Sequence, residues 1–218
     1  MNKAIICIDR DGTLIHDSRE HLFLGSDNNW HEKVKILPNA IEGVRRLNTI
    51  AGAGIYMVTN QSGVAISDFA LLTGERAHEV CRFVVEMFKD RGARLDGYFL
   101  CPHATPEYVS RKPGTNFHPH LVHDCHCLKS SLGMVFNALQ AQGVTQDNVD
   151  VYVIGDRVSD VQTALNIGGT GILIPFVNEP GELDKVKRLG NRNRIHVAEN
   201  MLVAAEYVHD QAGGRTNT

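Results

Sequence analysis

Five short apolar runs, none interrupted by a polar residue, mark the chain at 4–8, 55–58, 98–100, 151–154 and 172–174. A strand with one wet face alternates apolar and polar residues, whereas a strand buried on both faces has no reason to. Patterns of helical period fill most of the intervals, at 41–50, 74–91, 132–142, 158–167 and 201–208. In the second of these, Val80, Val84 and Phe88 fall on one face and make an inward stripe. Strands and helices in alternation predict an α/β fold, a doubly wound parallel sheet covered on both sides. At 218 residues and 43% apolar the chain can bury one substantial core. A single domain over 1–211 is expected, followed by a polar, flexible tail at 212–218. Two segments, 16–37 and 104–124, carry no regular pattern, and loops of that length in a compact domain are usually functional or mobile.

The first apolar run leads at once into Asp9-Arg10-Asp11-Gly12-Thr13-Leu14. In extended backbone, residues i and i+2 point the same way. Asp9 and Asp11 are therefore placed to flank one substrate atom, one as nucleophile and the other as acid/base. Asp-x-Asp-Gly also opens calcium loops, and Glu20 stands where such a loop would close. Leu14, at a position that normally offers an oxygen, and a preceding strand rather than a helix argue against calcium. The second run ends in Thr59-Asn60-Gln61-Ser62-Gly63, and the fourth in Gly155-Asp156-Arg157-Val158-Ser159-Asp160. Read singly, these are a polar turn and a pair of acids at a helix entrance. Read together they are a site, because open α/β sheets bind ligands at the carboxyl ends of their strands, where Asp9, Thr59 and Asp156 would converge.

Composition removes several other classes. A formal net charge of −3 gives no electrostatic footprint for nucleic acid or a membrane surface. No apolar run approaches membrane-spanning length, and the N-terminal run is too short for a secretory signal, so a soluble cytoplasmic protein is expected. The five cysteines are an odd number for a disulfide framework. Cys7 and Cys81 read as small buried hydrophobes. The other three cluster: Cys101-Pro102-His103 and Cys125-His126-Cys127 offer three thiolates and an imidazole, a full tetrahedral set for a structural zinc. His118, His120 and His123 compete with His103 for the imidazole position, and unmetallated cysteines on an ordinary loop are the plain alternative. Zinc would staple a loop that has no core of its own.

Asp9-Arg10-Asp11-Gly12-Thr13, Thr59-Asn60 and Gly155-Asp156 together resemble the haloacid dehalogenase (HAD) superfamily of phosphatases, over residues 4 to about 175. The resemblance implies a magnesium-dependent phosphomonoester hydrolase. Asp9 would attack phosphorus to give an aspartyl phosphate, and Asp11 would serve as acid and then base. Magnesium would be held by Asp9, the Asp11 backbone carbonyl and Asp156. Thr59 and Asn60 would line the phosphoryl site. The superfamily also places a lysine at the phosphate, for which Lys129 and Lys112 are the candidates. Lys129, directly after Cys125-x-Cys127 and just before Gly133-Met134, is the choice.

The cysteine constellation is similar to the capless branch that holds the heptose 1,7-bisphosphate 7-phosphatases and the histidinol-phosphatases, where a zinc loop shapes the substrate entrance. No large cap domain is then expected. The substrate would be a small phosphorylated molecule, a heptose bisphosphate first and histidinol phosphate second, handled by a monomer. Residues 95–103 and Gly133-Met134 favour the heptose enzymes, while Gly155-Asp156-Arg157 and Asp160-Val161-Gln162 favour the histidinol enzymes. The chain departs from both in having Leu128 for arginine, Ser130 for proline, and no arginine after Gln61-Ser62-Gly63. Arg111 and Lys112 either replace the missing charge at a second phosphate or merely solvate a loop. A zinc-stapled binding module without turnover is the competing class, and it would predict loss of Asp9, Asp11, Lys129 or Asp156, all of which are present.

Overall fold

A computed structural model describes residues 3–16, 23–176 and 181–213. Six parallel strands form one sheet in the order β3-β2-β1-β4-β5-β6. They are β1 (Lys3–Asp9), β2 (Gly54–Asn60), β3 (Gly97–Cys101), β4 (Val149–Gly155), β5 (Thr170–Leu173) and β6 (Ile195–Val197). The helices are α1 (Trp30–Lys33), α2 (Ala40–Asn48), α3 (Gly74–Lys89), α4 (Pro106–Ser110), α5 (Gly133–Ala141), α6 (Val158–Asn166), α7 (Glu182–Lys187) and α8 (Met201–Gly213).

β1 lies between β2 and β4, so the chain winds outward from it in both directions and leaves a crevice at its carboxyl end. Its alternation sorts the two cores. Ile6 and Ile8 pack with α2, α3 and α8, while Ile5 and Cys7 pack with α5. All four are fully buried, which is why the run needs no polar residue. α2 and α8 pack closely enough that a Cβ on Gly43 would lie 2.6 Å from the Met201 carbonyl oxygen.

The five expected strands and five expected long helices are present, with ends shifted by a few residues. β6 and α7 come in addition. Both are short, and the segment that carries them is rich in charge, so neither gives a periodic signal. α8 continues to Gly213, into the segment read as tail. Residues 214–218 lie outside the described residues, as does Glu20. Leu14 is fully buried. The interval 104–124 holds α4, capped by the Thr105 hydroxyl on the Tyr108 amide and started by Pro106, and a 3-10 turn at Pro119–Leu121. Among the described residues no interval carries a second sheet or a cap domain, and no helix is long and apolar enough to cross a membrane.

Candidate active site

The carboxyl ends of β1, β2 and β4 open into a cavity of about 610 Å³ lined by Asp9, Asp11, Thr59, Asn60 and Lys129, among others. Asp9, the last residue of β1, follows the side of Ile5 and Cys7 and so faces the α5 layer, from which Lys129 reaches it. The Lys129 ammonium pairs with Asp9, stands 2.7 Å from Asp160 and donates to the Val58 carbonyl at 3.4 Å. Lys129 is 8% exposed and Asp9 6%. Burial works against the charge on Lys129, but Asp160 and Asp9 outweigh it and push its pKa up. Burial pushes Asp9 up to about 7 against the pull of Lys129, with Asp160 and Asp11 adding to the rise. The Lys129–Ser130 peptide bond is cis.

Asp156 follows β4 and is wholly buried, and neither of its carboxylate oxygens has a hydrogen-bond partner. Burial, then Asp9 and Asp160, push it up to about 9. Asp9, Asp156 and Asp160 each bring a carboxylate oxygen within 4.8 Å of the others. Three acids this close are poorly served by one buried ammonium and the half-exposed Arg157 guanidinium, whose Nε stands 3.9 Å from an Asp156 oxygen. A hard divalent cation with oxygen ligands is what this donor set fits. Gly12 makes the approach possible: its φ is +85°, and a Cβ there would lie 2.4 Å from an Asp156 oxygen.

Asp11 stands just beyond the strand with its side chain 26% exposed. One oxygen accepts from Arg10 Nε at 3.0 Å, and the other from Arg10 Nη2 at 2.9 Å and Gln61 Nε2 at 2.9 Å. The Thr59 hydroxyl lies 3.5 Å from that second oxygen and also accepts from Gln61 Nε2 at 2.7 Å. The Asn60 side chain is turned to backbone, its oxygen accepting from the Lys129 amide at 3.1 Å, so it fixes the turn that delivers Lys129.

At the entrance, Cys101, His103, Cys125 and Cys127 gather their donor atoms within 4.8 Å of one another. Cys101 and Cys125 Sγ are 3.5 Å apart, Cys125 and Cys127 3.4 Å, and His103 Nδ1 lies 3.2 Å from Cys127 Sγ. Tetrahedral Zn–S bonds of about 2.3 Å set sulfurs about 3.8 Å apart, so a small expansion seats the ion. Burial pushes the Cys101 and Cys127 thiols up and the His103 imidazolium down. The neutral imidazole is the form that ligates, and a bound dication would draw the protons off the sulfurs. His118, His120 and His123 are not part of the group, although the His123 ring packs 4.4 Å from that of His103. The loop has other fastenings: His118 donates to the Ala65 carbonyl at 2.8 Å, and the Asn116 amide and side chain both donate to Asp68.

Three residues of this site had no functional reading in the sequence. Asp160 was legible only as a helix-entry acid, which it also is, since it accepts from the Arg157 amide at 3.2 Å. Its spacing from Asp156, one helical turn, was the available signal. Arg10 and Gln61 sat unread inside the two motifs. Lys112, the rival lysine, lies at the mouth with its ammonium 5.1 Å above the Tyr108 ring.

No protein-family model matches the chain. It is 33% identical over 174 residues to the D-glycero-beta-D-manno-heptose-1,7-bisphosphate 7-phosphatase of Yersinia pestis, covering 78% of this chain and 79% of that one. It is 31% identical over 172 residues to the histidine biosynthesis bifunctional protein HisB of Blochmanniella floridana, which spans 79% of this chain but 41% of that protein. The chain thus matches about two fifths of the length of its HisB relatives. Among solved structures, the D,D-heptose 1.7-bisphosphate phosphatase of B. bronchiseptica, complexed with magnesium and phosphate, superposes with a TM-score of 0.69 at 24% identity, over 95% of this chain and 98% of that one. That likeness shows the HAD fold. With a relative of matching length above 30% identity, the chain belongs to the HAD family that contains the heptose-1,7-bisphosphate 7-phosphatases, and part of HisB aligns with it.

Proposed function

We propose that the protein hydrolyses a phosphate monoester through Asp9, and that its substrate is a small sugar bisphosphate, in first place D-glycero-D-manno-heptose 1,7-bisphosphate. The observation that carries the reading is the floor of the cavity, where a buried carboxylate, Asp9, is paired with an ammonium and clusters with Asp156, whose oxygens accept no hydrogen bond. A phosphate dianion repels a carboxylate, so attack requires cations on the phosphoryl oxygens. Lys129 supplies one. Asp9, the Asp11 carbonyl and Asp156 would hold magnesium, which when bound supplies the second positive charge. An oxygen of Asp9 then bonds to phosphorus while the ester P–O bond breaks, and Asp11 gives its proton to the departing oxygen. Water attacks the aspartyl phosphate, its proton passes to Asp11, and Asp9 is freed. Thr59 binds the phosphoryl group, and Cys101, His103, Cys125 and Cys127 hold a structural zinc that keeps the entrance loop in place.

The charge of the mouth supports a bisphosphate over histidinol phosphate. Among the described residues lining the cavity, Arg111, Lys112 and Arg157 are cationic at the mouth, and the carboxylates are Asp9 and Asp11 on the floor. A second phosphate gains from that arrangement, whereas the ammonium of histidinol phosphate is repelled. Leu128 also lines the cavity, so charge absent at that position is offset by Arg111 and Lys112. Cys7 and Cys81, buried and unpaired in a disulfide, fit a reducing compartment such as the cytoplasm. One domain over 1–211, acting as a monomer, completes the reading.

The test is phosphate release with magnesium over both esters. A kcat/KM for the heptose bisphosphate at least tenfold above that for histidinol phosphate is expected. The reverse order would transfer the assignment to the histidinol enzymes, and release from neither would overturn it.

A further inference from the structure

Arg10 is a large, charged side chain that is 1% exposed, and the nucleophile, the cation cluster and the entrance loop do not require it to be there. A guanidinium taken out of water is costly unless its donors are met, and Arg10 spends them in a particular way. It continues the alternation of β1 onto the side of Ile6 and Ile8, away from Asp9. Its Nε and Nη2 close on the two oxygens of its neighbour Asp11, and its Nη1 reaches the Cys81 sulfur of α3 at 3.5 Å. Cys81 is itself fully buried, so the outer end of the fork is anchored in the core. A planar guanidinium gripping both oxygens of a carboxylate fixes the carboxylate's plane as well as its position, which a lysine cannot do. Gln61 Nε2 holds the same carboxylate from the β2 side at 2.9 Å. Without such a grip, Asp11 would be a short side chain on a turn, free to rotate about χ1 and χ2.

We infer that Arg10 is a positioning residue for proton transfer: its fork, anchored on Cys81, holds the Asp11 carboxyl at the angle from which it protonates the leaving oxygen and later takes the proton of water. The inference rests on the reading of Asp11 as acid/base. A group that acts through Asp11 matters where Asp11 matters. Departure of an alkoxide from phosphorus needs a proton, whereas departure of p-nitrophenolate does not. General acid catalysis contributes about 10² to 10⁴ in rate, and misaiming the acid forfeits a share of that.

The experiment compares wild type, Arg10→Met, Arg10→Lys and Asp11→Asn, each with magnesium, on p-nitrophenyl phosphate, phenyl phosphate and an alkyl phosphate. Arg10→Met is expected to lose about 10 to 100-fold in kcat/KM on the alkyl ester and less than about threefold on p-nitrophenyl phosphate. On the latter ester a rapid-mixing trace should show a burst of about one p-nitrophenolate per enzyme, because attack of water on the aspartyl phosphate is slowed while its formation is not. Arg10→Lys keeps the buried charge without the fork and should fall between wild type and Arg10→Met. It carries the test alone if Arg10→Met does not fold. A loss of equal size on all three esters with no burst, or no loss, while Asp11→Asn discriminates among them, would overturn the role of Arg10. If Asp11→Asn itself failed to discriminate, the assignment of Asp11 would fall first.

Discussion

Asp9 and Asp160 share one buried ammonium while Asp156 has the Arg157 guanidinium 3.9 Å away, so the residues of this site differ in what their removal exposes. Asp9→Asn deletes the nucleophile at nearly constant volume while Lys129 keeps Asp160 as partner. Turnover should drop to background with the thermal transition little changed, which phosphate release and circular dichroism together would check. Lys129→Ala takes the cation from where charge develops, and kcat should fall by about 10² or more on every ester. Lys112→Ala, at the mouth, should raise KM for a bisphosphate and leave a small monoester almost untouched, since uniform binding energy does not change the chemical step. The opposite pattern in steady-state kinetics would exchange the two lysines. Asp9, Thr59 and Asp156 could be brought together from sequence because each closes an apolar run, and strand ends in a parallel sheet meet. Asp160, Arg10 and Gln61 could not, because what they do depends on which neighbour they face: Lys129 is distant in sequence, and the side of β1 that Arg10 takes is set by packing against α3.

The elements differ in how firmly they are held, and the entrance loop is the one with least core beneath it. Leu121 packs on the small cluster of Val64, Leu72 and Ala77, Asn116 binds Asp68, and the four candidate zinc donors close the base. Chelation should therefore loosen 102–127 while β1, β2 and β4 stay protected, because the sheet's own contacts do not pass through the metal. Hydrogen exchange with and without a strong chelator reads this directly. Elemental analysis should find about one zinc per chain, as one complete set of four ligands would bind. Equal loss of protection in sheet and loop would show that the ion supports the whole fold. A second element-scale dependence joins α7 to α6: buried Glu182 accepts from the Val158 amide at 2.7 Å, an acid meeting a helix N-terminus. Glu182→Ala should cost about 1 kcal/mol in chemical denaturation. The zinc loop was legible because four ligands in two tight pairs are rare by chance. α7 and β6 were not, because their stability comes from such contacts and from the β5 edge rather than from any period of their own.

For the molecule as a whole, the crevice beside β1 concentrates acids that the fold must keep dry, and this sets how stability responds to pH and to metal. Burial raises Asp156 from an ordinary 3.8 to about 9 and Asp9 to about 7. Below pH 4 both groups are protonated in the folded and unfolded chains alike, and they cost nothing. Between pH 4 and 9 the unfolded chain releases these protons freely while the folded chain retains them or ionises at a cost, so the metal-free protein loses stability as pH rises through that window. On the proposed reading magnesium would bind the ionised acids of the folded state alone and compete with the protons, so its stabilising effect would grow over the same range. At a concentration 100 times its dissociation constant, a ligand of the folded state adds about 2.7 kcal/mol, or about 5 to 10 °C in Tm for a chain of this size. Thermal denaturation with EDTA and with magnesium at pH 6, 7, 8 and 9 should show two Tm curves that diverge, the EDTA curve falling away. Asp156→Asn removes the most strongly shifted acid and a proposed metal ligand together, so its two curves should run close, falling only with Asp9 up to about pH 7 and level above it. Parallel curves in the wild-type protein would mean that the cation is held elsewhere and that Lys129 and Arg157 are the cations that stabilise the acids at the ends of β1 and β4.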